Sequence, residues 1–317
     1  MNHIEVHMLY RDVLHRNTDP SGISSYRYRF RNFSQRKLRN SDEYKKRSSS
    51  FYSGNDVTIC CAIMDRWEML SKSISTWFVP QVKEIILVDF NSKKCVWKLL
   101  KENNLLDPRI KVIRLVDESK WCLSKAYNIA FHHASCNIIM KMDTDYKLLD
   151  ATFFSKHTLS KGVFYAGNWR NGRNENEHHI NGFIYMFKHD FFRINGYSEH
   201  ILTYGRDDED LYERLRCMNI KRIDIGHDYI YHTPHSDSLR TVNQTLKTSN
   251  CHDEIIHNEN LPLWKSSHQR QAYYSISSDK QLTFISTSPF FIIQPHHGLG
   301  NRLRSFMSAL HFSRLHN

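Results

Sequence analysis

The sequence predicts an α/β fold, a mixed, mainly parallel sheet flanked by helices, with a small helical module ahead of it. Three observations carry this. Between Val57 and Met142, short apolar runs alternate with stretches of helical periodicity. The segments joining successive runs are long enough for the crossovers that parallel strands require. Acidic residues stand just past the carboxyl ends of the runs, at Asp65, Asp89, Asp143 and Asp145. Open α/β sheets bind their ligands at that edge.

Residues from about Ile4 to Phe33 read as helical, broken once. Met8, Leu9, Val13 and Leu14 have helical spacing, Asn17 to Gly22 is a turn cluster, and Tyr26, Phe30 and Phe33 resume an apolar stripe. Arg27, Arg29, Arg31, Arg36, Lys37 and Arg39 lie among these aromatics. The aromatics fall on one helical face, so the basic residues read as a solvated face rather than a nucleic-acid surface. Leu9 to Leu14 followed by Asp19 to Gly22 resembles a small helical repeat module appended to bacterial surface and glycan-related proteins. Residues 1–48 are read as this module and residues 49–56 as a linker.

The alternating pattern then begins. Val57 to Met64 is a continuous apolar run, as expected of a strand buried on both faces. Asp65-Arg66 follows, and Trp67 to Phe78 has helical periodicity that Pro80 ends. Glu84 to Asp89 is a second strand, Val96 to Leu106 a helix, and Ile110 to Leu115 a third strand. Ser124 to His133 is a helix, and Cys136 to Met142 a fourth strand that delivers Asp143. Asp143 and Asp145 are one residue apart, and in extended chain such residues point the same way. Two carboxylates so placed suit Mg²⁺ or Mn²⁺ with positions left for phosphates. No glycine-rich phosphate loop follows the first strand, which argues against a dinucleotide dehydrogenase or a P-loop ATPase.

Composition narrows the class further. The net charge of +11, 44 basic minus 33 acidic residues, suits a nucleic acid, an anionic surface or a phosphorylated small molecule. No apolar run approaches the roughly 20 residues that span a bilayer, and no apolar stretch of signal-peptide type follows the first residues. Seven unevenly spread cysteines with no Cys-x-x-Cys pair read as reduced thiols. A cytoplasmic setting is the expectation, the host cytoplasm if the source is viral.

The second half carries another cluster. Asn195 to Glu199 is followed by Thr203 to Leu215, where Asp207, Asp208, Glu209 and Asp210 open an amphipathic helix. The helix dipole favours acids in a first turn by about 0.3–1 kcal/mol each. Four in a row exceed that role, and with Tyr204-Gly205 before them they suit a sugar, stacked on a ring and gripped through its hydroxyls. Asp228 to His235 is a short strand ending in His232 and His235. Gly167 to Gly172 is a candidate loop for closing over a donor.

These pieces, in this order from Val57 to His235, resemble the GT-A-fold glycosyltransferases. They are most similar to inverting family-2-type enzymes and to the carboxyl-terminal part of beta-1,4-galactosyltransferases. Gly196-Tyr197-Ser198-Glu199 and Tyr204 to Leu215 carry the likeness most specifically, and Leu123-Ser124-Lys125-Ala126 with Asn128 adds to it. The resemblance implies a GT-A, Rossmann-like domain over residues 57–280. It also implies Asp143 and Asp145 as the Asp-x-Asp pair, with Asp145 and His232 on Mn²⁺ or Mg²⁺ and His235 as the substitute ligand. Asp65, Arg66, Asp89, Lys125 and Asp143 would line the nucleotide-sugar pocket, for a UDP-sugar. Asp208 would be the general base. Asp207, Tyr204 and Glu209 would hold a glycan or glycoprotein acceptor. Tyr204 replaces the family's tryptophan, Arg206 a glycine and Glu209 an aspartate, which leaves the sugar and acceptor open.

Beyond His235 the chain is polar to about Lys280. Residues 281–317 read as new strands at Leu282 to Ile285 and Phe290 to Ile293, then a helix opened by Gly298 to Arg304. That last turn resembles the opening motif of fucosyltransferase-like domains, so the segment either begins a second domain or packs on the first. The leading function is a metal-dependent, inverting glycosyltransferase. The alternatives are a non-catalytic glycan- or nucleic-acid-binding module on a degenerate transferase fold, and a metal-dependent sugar nucleotidyltransferase.

Overall fold

The computed structural model describes residues 6, 9–10, 13–14, 18–26, 31–48, 50–236, 255–256, 274–278 and 281–286. Its strands are β1 (Val57–Ile63), β2 (Val82–Phe90), β3 (Ile110–Leu115), β4 (Ile138–Lys141), β5 (Tyr146–Leu148), β6 (Val163–Ala166), β7 (Ile184–Phe187), β8 (Lys221–Asp224), β9 (Ile230–His232), β10 (Tyr274–Ser278) and β11 (Leu282–Ser286). Nine of them form one sheet in the order β10-β11-β3-β2-β1-β4-β7-β6-β8. The run β11-β3-β2-β1-β4 is parallel. β7 is antiparallel to β4 and β6. The mixed, mainly parallel sheet expected from the sequence is the sheet observed.

The continuous apolar run of β1 follows from its central position. All seven of its residues are buried, and alternate side chains enter different cores. Cys60 and Ala62 pack with Tyr127, Phe131, Leu211 and Leu215, from the helices Leu123–His133 and Asp207–Cys217. Ile59, Cys61 and Ile63 pack on the opposite face with Leu70, Ile74, Trp77 and Leu100. Helix thus covers both faces, which is what an all-apolar strand needs. The stretch expected as one helix from Trp67 to Phe78 is a helix over Trp67–Ser73 that tightens to a 3₁₀ turn over Ile74–Trp77. That turn buries Trp77, whose Nε1 donates to the Tyr146 carbonyl at 3.0 Å.

Two readings of the flanking segments change. Within the expected turn at Asn17 to Gly22, whose first residue lies outside the described residues, a helix starts. The helix Pro20–Tyr26 begins there, with the Asp19 carboxylate accepting from Gly22 N at 2.8 Å. Part of the expected linker is packed: Phe51 is buried against the His189 ring, and Tyr52 Oη donates to Asp190 at 2.7 Å. At the other end β11 lies in parallel register with β3, so Leu282–Ser286 extends the main sheet. Arg27, Arg29, Phe30, Phe290 to Ile293 and Gly298 to Arg304 lie outside the described residues. The six cysteines among the described residues are all free thiols, and no helix there is long and apolar enough to cross a membrane.

Candidate functional site

The site assembles at the carboxyl edge of the sheet. Past Lys141 the chain leaves the strand and turns, then re-enters extended structure as β5. β5 and β9 form their own two-stranded ladder, pairing Tyr146 with His232, and Thr233 N donates to the Asp145 carbonyl at 2.8 Å. This ladder is why residues almost ninety positions apart meet.

Asp145, His232 and His235 offer ligand atoms that all lie within 4.8 Å of one another. His235 Nε2 is 2.9 Å and His232 Nε2 3.9 Å from Asp145 Oδ2. The other ring nitrogens are engaged elsewhere. Asn176 Nδ2 donates to the His232 carbonyl at 2.7 Å, which fixes the amide's orientation. Its Oδ1 therefore accepts from His232 Nδ1, at 2.6 Å. His235 Nδ1 donates to the Ser236 carbonyl at 3.0 Å. Both Nε2 atoms are thereby turned toward Asp145, the arrangement of histidines that ligate a metal. Asp145 Oδ1 is buried with no hydrogen-bond partner among the described residues, an orphan that a cation would satisfy. Burial alone would raise the Asp145 pKa, but the His235 hydrogen bond and the charges of His232 and Arg66 hold it below the usual carboxylate range. One carboxylate and two imidazoles suit a divalent transition ion, for which Mn²⁺ is a candidate through its affinity for the carboxylate.

Two contiguous hollows lead away from this cluster. A cleft of about 110 Å³ is lined by Arg66, Asp143, Asp145, Tyr204 and His232. It shares Asp143 and Tyr204 with a cavity of about 500 Å³ that Trp169, Asp207, Asp208 and Glu209 also line. Arg66 Nη1 lies 3.3 Å from Asp145 Oδ2, while its Nη2 is buried with no partner among the described residues, a donor suited to an anion.

The acids of the helix Asp207–Cys217 have different duties. Asp210 is structural: it binds Arg214, whose guanidinium also donates to the Ile194 and Gly196 carbonyls. Asn128 locks the same turn, accepting from Tyr197 N at 2.8 Å and donating to the Tyr197 carbonyl at 3.0 Å. Gly196 has φ +75°, and a Cβ there would sit 2.4 Å from Asn128 Oδ1, so glycine is required on two counts. The turn aims Tyr197 Oη at Asp208 Oδ1, to which it donates at 2.9 Å. Burial pushes the Asp208 pKa up to about 6, against the pull of Lys141 and with added repulsion from Glu209 and Asp143. Asp207 is raised further, by burial and then by Asp208. Its Oδ2 is buried with no hydrogen bond among the described residues. Arg206, where the resemblance expects glycine, keeps the left-handed backbone with φ +70°.

The sequence model for glycosyl transferase family 2 matches residues 26–201, more than half of the chain. The chain belongs to glycosyl transferase family 2. A second family, described as the N-terminal domain of galactosyltransferase, matches residues 167–236 of this transferase. No curated protein matches it. Among solved structures it is similar to the catalytic domain of Drosophila beta1,4-galactosyltransferase 7 in complex with xylobiose. That match has 14% identity, covers 74% of this chain and 93% of that one, and has a TM-score of 0.47. A mutant of the same enzyme with manganese, UDP-Gal and xylobiose matches at 16% identity, 73% and 93% coverage and a TM-score of 0.47. A Pyrobaculum calidifontis mannosyltransferase with GDP-Man and Mn²⁺ matches at 14% identity, 58% and 62% coverage and a TM-score of 0.44.

In this family 2 transferase, Arg66, Asp143, Asp145, Tyr204, Asp207, Asp208, Glu209 and His232 all line one or the other of the two neighbouring hollows. Three expected donor residues do not. Lys125 is spent on Glu118 at 2.6 Å. Asp89 is fully buried, accepting from Ser92 N, Val96 N and the Arg114 guanidinium, and so organises the loop after β2. Asp65 accepts from Lys93 N at 2.7 Å and ties two loops together. Asp143 and Asp145 also diverge, because the backbone between them turns. Asp143 accepts from Tyr127 Oη at 2.6 Å and faces Lys141, while Asp145 faces the histidines.

Lys141 was not singled out from the sequence. It is 1% exposed, with Nζ donating to the Gly182 carbonyl at 2.7 Å. Asp143 lies 3.4 Å and Asp208 3.5 Å from the same nitrogen. Such a pair is worth about 5 kcal/mol of attraction at an effective dielectric of 20, offset by the several kcal/mol needed to dehydrate each ion. The available signal was a lysine inside the apolar run Ile138 to Met142 of a buried strand. Asn176 carried no comparable signal, since its partner is distant in sequence.

Proposed function

We propose that this transferase moves a sugar from a nucleotide-diphosphate donor, a UDP-sugar first, to an acceptor hydroxyl with inversion, using Mn²⁺ or Mg²⁺. One observation supports this above others: Asp145 and His232, backed by His235, line a cleft that shares Asp143 and Tyr204 with the cavity lined by the raised carboxyl of Asp208. Asp145, His232 and His235 would hold the cation, which when bound neutralises the diphosphate and makes it a better leaving group. Arg66 offers Nη2 to the same diphosphate. Asp208 takes the proton of the acceptor hydroxyl as that oxygen attacks the anomeric carbon from the face opposite the leaving group. Tyr197 keeps the carboxylate oriented. Asp207 and Glu209 grip acceptor hydroxyls, and Tyr204 offers a ring face to a glycan.

Asp208→Asn tests the reading. Transfer should fall at least a thousandfold while calorimetric binding of the donor persists, and the wild type should release nucleoside diphosphate. Unchanged transfer, or release of pyrophosphate, would contradict it. A wild type that binds glycan but transfers nothing from any donor would return the chain to the binding-module class.

A further inference from the structure

We infer that Lys141 is a positioning residue for the transfer, a buried cation that holds the Asp208 carboxylate in its charged form and in place between Tyr197 and Asp143. This rests on Asp208 being the base. The geometry is specific. Lys141 ends β4, and its ammonium lies 4.8 Å from the centre of the Tyr127 ring. One N–H goes to the Gly182 carbonyl at 2.7 Å, and the remaining charge faces Asp143 at 3.4 Å and Asp208 at 3.5 Å. The chain makes room for this meeting. A Cβ on Gly182 would lie 2.6 Å from Lys141 Nζ, 3.1 Å from Asp208 Oδ2 and 3.2 Å from Asp143 Oδ2.

Among the described residues, the groups that act most strongly on Asp208 besides Lys141 are acids and a phenol, while Arg170, His178, His179 and Arg206 line the same cavity. Asp207, Glu209 and Tyr212 come from its own helix, Asp143 from the turn after β4, and Tyr197 from the preceding loop. Carboxylates crowded at low dielectric take up protons unless a cation is among them. Protonated, Asp208 could not accept the acceptor's proton. Lys141 is the cation within this group, and although burial favours its neutral form, the charges of Asp143, Asp208 and Asp207 outweigh that and keep it protonated throughout the working range. A lysine that only held the fold would need no carboxylate that the chemistry also uses.

The test is the pH dependence of kcat/KM for Lys141→Met and Lys141→Arg, with Asp208→Asn as reference and thermal melts to confirm folding. Lys141→Met should move the acid limb up by at least one pH unit, costing about tenfold in kcat/KM below the limb and little above it. Donor affinity should stay within about threefold, and Lys141→Arg should restore the limb in part. A uniform loss with the limb in place, or no loss, overturns the inference while leaving Asp208 as base. An active Asp208→Asn overturns the underlying reading instead. If Lys141→Met does not fold, Asp143→Asn decides. It removes a repelling charge and frees the ammonium for Asp208, so the limb should move down. An unmoved limb there also overturns the inference.

Discussion

Asn176→Leu perturbs the proposed metal centre without touching a ligand. Leucine keeps the branched shape but removes both bonds of the clamp, 2.7 Å to the His232 carbonyl and 2.6 Å from His232 Nδ1. His232 is only 2% exposed, so water cannot readily replace them. Without an acceptor at Nδ1 the ring is no longer held in the tautomer that presents the Nε2 lone pair to Asp145. Loss of such an outer partner costs about 10–100-fold in metal affinity, or about 1.4–2.8 kcal/mol. The assay is Mn²⁺ titration followed by electron paramagnetic resonance of the free ion, with melts confirming that the variant is folded. An unchanged Mn²⁺ affinity in a folded variant would refute the assignment of His232 as a ligand set by Asn176.

Three further outcomes are expected. As the proposed base, Asp208 would have to be deprotonated, and burial raises it to about 6, so kcat/KM should fall as pH drops through that value and level off above it; a rate flat from pH 5 to 8 would contradict this. Gly182→Ala forces a methyl to 2.6 Å from Lys141 Nζ; overpacking of this kind costs about 1–3 kcal/mol of stability, and kcat should fall more than donor affinity. The loop Gly167 to Gly172 forms a 3₁₀ turn whose Asn168 and Asn171 both donate to Asp224. If it closes over the donor, UDP with Mn²⁺ should slow proteolysis there, and equal cleavage with and without them would remove that role.

Much of this was legible in the sequence because the relevant signals are local. Apolar runs alternating with helical stretches specify the sheet, and acids gathered at run ends and at one helix start mark its working edge. What one dimension leaves open is discrimination among groups that look alike. Asp89 and Asp145 both close apolar runs, yet Asp89 is used up by backbone N–H groups and Arg114, while Asp145 keeps a buried oxygen without a hydrogen bond among the described residues. Extended geometry would point Asp143 and Asp145 the same way, whereas the turn after Lys141 sends one toward Lys141 and the other toward the histidines. Lys141 and Asn176 work through partners far along the chain, and only the fold shows which charge or tautomer they set. His232 and His235 are likewise alike in one dimension, and the β5–β9 ladder brings both near Asp145.

The most direct measurement is calorimetry of UDP binding to the wild type and to Asp145→Asn, with and without Mn²⁺. A cation shared between Asp145 and the diphosphate predicts tight binding only for the wild type with Mn²⁺, and loss by at least about tenfold when either the ion or the carboxylate is removed. Equal affinity in all four experiments would mean that the nucleotide is held without the metal.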